Sequence, residues 1–63
     1  MKFIELDRIL KRNGWRVVRT KGSHHQYQKE GVNKTLTVPN HPGDIAKIIV
    51  KNILAGADIR CEY

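Results

Sequence analysis

The stretch KGSHHQYQK, Lys21 to Lys29, sets two adjacent histidines directly after a Gly-Ser pair. Histidine has an unperturbed pKa of about 6.5, so near neutral pH its ring can both take up and release protons. It is also a common metal ligand. His24 and His25 therefore open two chemistries, acid–base work and metal binding. Neighbouring residues of an extended strand point away from each other, so the pair does not converge on one ion. His41 and Cys61 would have to complete a metal set, and their spacing matches no zinc site. No metal is expected.

The surroundings of the pair narrow the acid–base reading. From Arg8 to Lys21 the chain carries Arg8, Lys11, Arg12, Arg16, Arg19 and Lys21 with no acid among them. Over the whole chain 12 Lys and Arg face 6 Asp and Glu, a net charge of +6. Clustered positive charge favours a polyanionic partner, because each contacted phosphate releases condensed counterions. A general base beside phosphate-binding cations is what phosphodiester transesterification in RNA requires. The base removes the 2′-OH proton, the oxygen attacks phosphorus, and cations stabilise the phosphoryl oxygens. Such a reaction calls for no cofactor. The same residues also fit a surface histidine in a basic strand that binds RNA or a protein without reacting.

The elements that must position these residues follow from pattern. Phe3, Leu6, Ile9 and Leu10 recur at helical spacing over residues 3 to 12, with Ile4 at the edge of the stripe. Asn13-Gly14 supplies the stop. Residues 15–20, 24–29 and 34–38 read as strands, joined by turns at Gly22-Ser23 and around Gly31. Short links between three strands imply an antiparallel meander. Asp44 reads as the N-cap of a last helix carrying Ile45, Ile48, Ile49, Asn52 and Ile53, with Gly56 as its stop. The fold class expected is α+β, ordered α-β-β-β-α. Its three-stranded antiparallel sheet has both helices on one face, like the double-stranded-RNA-binding domain.

Strand alternation then separates the histidines. His24, Gln26 and Gln28 share one face, and His25, Tyr27 and Lys29 share the other. Tyr27 is the one large apolar body in this strand, so its face is the core side. His24 is thereby placed on the open face and His25 under partial cover. A bulge at Gly22-Ser23 would swap these faces. In the preceding strand, Trp15 with Val17 and Val18 with Thr20 are both plausible inward sets.

Residues 1–63 read as one domain, too small for a deep enclosed pocket, so any active site is shallow and open. One cysteine permits no internal disulfide and fits a cytoplasmic setting. No apolar run approaches the length of a membrane span.

The order Asn13-Gly14-Trp15, Arg19-x-Lys21-Gly22-Ser23-His24-His25-x-Tyr27, Leu36-Thr37-Val38-Pro39-x-His41 and Asp44-Ile45 resembles the HicA family. These are small toxins of toxin–antitoxin modules, also called YcfA-like proteins. The resemblance runs from the first helix to about residue 59. It implies an endoribonuclease, an mRNA interferase that arrests translation and growth, with RNA as substrate and a HicB antitoxin as its inhibiting partner. In the family the histidine of Gly-Ser-His is catalytic, which maps onto His24, and the glycine needed for activity maps onto Gly22. One departure stands out. Similar proteins often carry Gly-Thr where this chain has Ile48 and Ile49, a change that either forgoes a role of that pair in RNA or partner contact or improves core packing.

The remaining assignments are expectations from the residues. Lys21 and Arg19 are the phosphate-binding candidates by proximity, followed by Arg16 and Lys29. Ser23 either donates to a phosphate or completes the turn. His25 supports the site, and His41 either orders its Pro-bracketed loop or serves as a second acid or base. Trp15 belongs to the core. A non-catalytic double-stranded-RNA-binding module is the alternative. It would want a basic cluster opening the last helix, where the chain offers only Lys47 and Lys51. A basic adaptor for a protein partner is the third reading.

Overall fold

Helix α1 spans Phe3–Arg12, as its apolar spacing dictates, and buries Leu6 and Leu10. Its first turn is tied by the Glu5 carboxylate, which accepts the Lys2 backbone N–H at 2.9 Å. Its last turn carries Lys11 and Arg12, the charge that a helix C-terminus favours. Asn13 closes it, donating from Nδ2 to the Ile9 carbonyl at 2.8 Å, and Gly14 follows at φ +90°. The computed structural model describes residues 1–40 and 42–59.

Three strands follow: β1 (Trp15–Lys21), β2 (His24–Lys29) and β3 (Thr35–Pro39). They form one antiparallel sheet in the order β1-β2-β3. Helix α2 covers Lys47–Gly56. The α-β-β-β-α order and the α+β class are those expected from the sequence, with strand ends shifted by a residue. Among the described residues no helix is long and apolar enough to cross a membrane.

Both helices lie on one face of the sheet. The core joins Leu6 and Leu10 of α1 to Val50, Ile53 and Leu54 of α2 through Trp15, Tyr27, Leu36 and Val38. Tyr27 is fully buried, and its hydroxyl donates to Asp7 Oδ1 at 2.5 Å. Asp7 is itself 7% exposed, and its other oxygen pairs with Lys11 Nζ at 3.0 Å. A buried carboxylate is tolerated only when so satisfied. Burial, reinforced by the Asp7 carboxylate, pushes the Tyr27 phenol well above its usual range.

Two sequence expectations fail at the start of α2. Asp44 is not its N-cap: the helix begins at Lys47 after Ala46, with no side-chain cap hydrogen bond. Asp44 instead forms an isolated antiparallel bridge with Lys2, and the Ile45 N–H donates to the Met1 carbonyl at 2.8 Å. Ile45 is thus buried ahead of the helix, which shifts the phase of the apolar stripe that follows. Ile48 is 64% exposed and Ile49 40% exposed, so this pair does not improve core packing. Val50, Ile53 and Leu54 face the core in their place. Near the other end, a Leu36 methyl lies 3.4 Å from where a Gly56 Cβ would sit, and Lys34 Nζ donates to the Gly56 carbonyl at 2.7 Å.

Candidate active site

The turn that delivers the histidines has two residues. Lys21 pairs with His24 across it, leaving Gly22 and Ser23 between the strands. Gly22 sits at φ +58° and Ser23 does not have positive φ, the pattern of a type II′ hairpin with glycine first. No atom lies within 4 Å of where a Gly22 Cβ would sit. Glycine is therefore required there by backbone conformation rather than by crowding. The turn is regular enough to keep the alternation of β2 in phase.

His24 accordingly lies exposed on the open face, and His25 is half-buried on the helix side with Tyr27. The register arranges the open face in rows. Lys21, His24 and Pro39 face one another across the three strands. Arg19, Gln26 and Thr37 form the next row, and Arg16, Gln28 and Thr35 the last. Gln28 Nε2 donates to Thr35 Oγ1 at 3.2 Å, which ties the last row together. Directly paired side chains have their Cβ atoms about 5 Å apart, so Lys21 and His24 leave the sheet as neighbours on the open face.

Arg19 and Lys21 reach this face because β1 is irregular. Its pairing with β2 runs in step from Trp15 to Val17, shifts between Val17 and Arg19, and runs in step again to Lys21. The irregularity lies inside β1 rather than at Gly22-Ser23. It also sorts β1 by face: Trp15 and Val17 pair on the helix side before the shift and Thr20 after it, and of these only Trp15 is buried.

Of the remaining sequence candidates, Lys29 does not join the site. It pairs with Trp15 on the helix side, and its stem lies 3.2 Å from the Gly14 Cβ position. His25 is held on three sides. Its ring packs against Phe3 with centroids 4.7 Å apart. Its Nδ1 meets Thr20 Oγ1 at 3.4 Å and its Nε2 meets Asn40 Nδ2 at 3.2 Å. The tautomer that satisfies both contacts accepts from the Asn40 amide at Nε2 and carries its proton on Nδ1, toward Thr20. Asn40 also donates its backbone N–H to the Ser23 carbonyl at 2.6 Å. The loop after β3 is thereby fastened to the turn that precedes His24. The sequence offered no signal for Asn40 beyond its place between Pro39 and His41. The assignments made for His41 and Cys61 lie outside the described residues. Among the described residues, no group of three or more His, Cys, Asp or Glu could hold a metal ion.

The model of one protein family, described as HicA toxin of bacterial toxin-antitoxin, matches residues 4–59. The chain belongs to the HicA toxin family. The match takes in α2, all three strands and all of α1 but its first residue. No curated protein matches the chain. Membership gives this HicA chain the role of toxin in a toxin–antitoxin module, and the Gly-Ser-His element of the sequence reading falls on the tight turn and open face just described.

Proposed function

We propose that this HicA chain is a metal-independent endoribonuclease that cleaves mRNA and arrests translation, with His24 as general base. The observation that carries the reading is the row in which His24 lies exposed beside Lys21, next to the row headed by Arg19. His24 takes the proton from the ribose 2′-OH. The O2′ attacks the adjacent phosphorus, the bond to O5′ breaks, and solvent protonates the leaving oxygen. The products are a 2′,3′-cyclic phosphate and a 5′-hydroxyl. Lys21 and Arg19 stabilise the charge that builds on the phosphoryl oxygens. Gly22 and Ser23 shape the backbone where the strand arrives. His25 acts on the other side of β2, ordering Asn40 and the turn. A HicB antitoxin of acidic character, laid over the basic open face, competes with RNA and stabilises a small domain by mass action. The setting for this activity is the cytoplasm.

The test compares wild type with His24→Ala on a defined RNA in EDTA, with folding followed by circular dichroism. Cleavage should vanish in the variant while the fold survives. Full activity in folded His24→Ala would remove His24 from the reaction. An RNA with one 2′-deoxy sugar at the cut site should resist, and its cleavage would exclude the internal 2′-OH as nucleophile. Binding without cleavage by wild type would return the chain to the non-catalytic RNA-binding reading.

A further inference from the structure

The irregularity of β1 has a geometric effect on charge. Counted from buried Trp15, a regular strand would turn Val17, Arg19 and Lys21 all to the helix side. The extra residue between Val17 and Arg19 resets the alternation. Thr20, not Arg19, then pairs opposite His25 on the inner side. Arg16, Arg19 and Lys21 fall on one face, opposite Gln28, Gln26 and His24 of a regular β2. Sequence spacings of three and two residues become equal steps. Each step is one pleat period, about 6.8 Å. All three cations are exposed, and the described residues of their face include no acid. Among the described residues no Trp, Tyr or Phe lies on that face, since Trp15 and Tyr27 are buried in the core and Phe3 packs against it.

We propose that Arg16, Arg19 and Lys21 form a phosphate ladder that holds an extended single RNA strand along β1 and ends at His24. The inference rests on the ribonuclease reading and adds to it a track, a direction and a mode of recognition. Successive phosphates of an extended strand repeat at a spacing of the same order as the rungs. Lys21 takes the phosphate beside His24, and Arg19 and Arg16 take the next two on one side of it. Recognition is through the backbone, so sequence preference is weak.

The experiment measures binding of a short fluorescent oligoribonucleotide to His24→Ala by anisotropy between 50 and 200 mM salt. Each phosphate contact to a single strand contributes about 0.7 to the slope of log affinity against log salt. Three rungs make affinity fall about 18-fold over that range, and two rungs about 7-fold. Arg16→Ala should reduce the slope by one contact, although Arg16 is the rung farthest from His24. Arg12→Ala, on exposed α1 surface, should leave the slope unchanged. Equal losses from Arg12→Ala and Arg16→Ala would make binding a matter of net charge and overturn the ladder. So would an unchanged slope in Arg16→Ala, or strongly different affinities for two oligonucleotides of unrelated sequence. The ribonuclease reading fails separately, through continued cleavage by His24→Ala or no RNA binding at low salt by either protein.

Discussion

Removing one oxygen atom from the core should cost this domain a large share of its stability. Tyr27→Phe keeps the ring that packs among Leu6, Leu36 and Val38 and deletes the hydroxyl that donates to Asp7. Asp7 is 7% exposed, so water cannot replace the lost donor freely. Lys11 Nζ remains at 3.0 Å, but its side chain is largely in solvent and its i,i+4 pairing contributes only about 0.3–0.5 kcal/mol. A hydrogen bond to a charged group contributes about 1.5–3 kcal/mol. Domains hold about 0.05–0.15 kcal/mol per residue, which for this chain is about 3–9 kcal/mol in total. The unfolding entropy, about 2.1 cal/mol/K per residue, comes to about 0.13 kcal/mol/K for the chain. Tyr27→Phe should therefore lower the melting temperature by about 12–23 °C, and Lys11→Ala by about 3 °C. Thermal melts by circular dichroism at neutral pH read both. A fall below about 5 °C for Tyr27→Phe would mean that the hydroxyl adds little to the fold and would refute the account of how α1 is held under β2.

The same hydroxyl predicts an alkaline limit. Because the folded phenol is raised, its stabilisation is complete below the ordinary value of about 10 and is lost as pH climbs from there toward the folded value. Urea midpoints should fall across that window in wild type and stay flatter in Tyr27→Phe. Gly22→Ala should cost about 1–2 kcal/mol through its left-handed backbone, and Gly22→Asn should recover part of this in thermal melts. Ile48→Thr should change stability by no more than about 0.5 kcal/mol, whereas Leu54→Ala should cost about 2–5 kcal/mol by chemical denaturation. Side-chain nitrogen NMR should find the His25 proton on Nδ1 in wild type and partly moved to Nε2 in Asn40→Ala.

The faces of β2 were legible because one residue, Tyr27, outweighs its neighbours in apolar bulk, and the turn before it added no residue out of phase. The faces of β1 were not. Trp15, Val17 and Val18 are similar in kind, and a bulge leaves no mark in composition, so alternation misplaces every residue beyond it. Lys29 looked like a member of the basic cluster because nearness in sequence says nothing about which side of a strand a side chain takes. Asp44 has the chemistry of an N-cap, but pairing with Lys2 claims its backbone and delays the helix. That delay exposes Ile48 and Ile49, two residues whose hydrophobicity alone argued for burial. Asn40 was invisible for another reason: its role depends on contacts with Ser23 and His25, distant in sequence, and no local pattern encodes them.

The bridge between Lys2 and Asp44 joins positions far apart in the chain, whereas each hairpin of the sheet joins near neighbours. Closing a long loop carries more entropy cost than closing a short one and is rewarded only once the intervening chain is in place. Each hairpin is closed by its own turn, whereas the clasp between Lys2 and Asp44 is a long-range tie of the domain. The clasp holds the start of α1 beside the segment that leads into α2, so what loosens it loosens the seat of both helices together. The turn that presents His24 is closed separately, by pairing of Lys21 with His24.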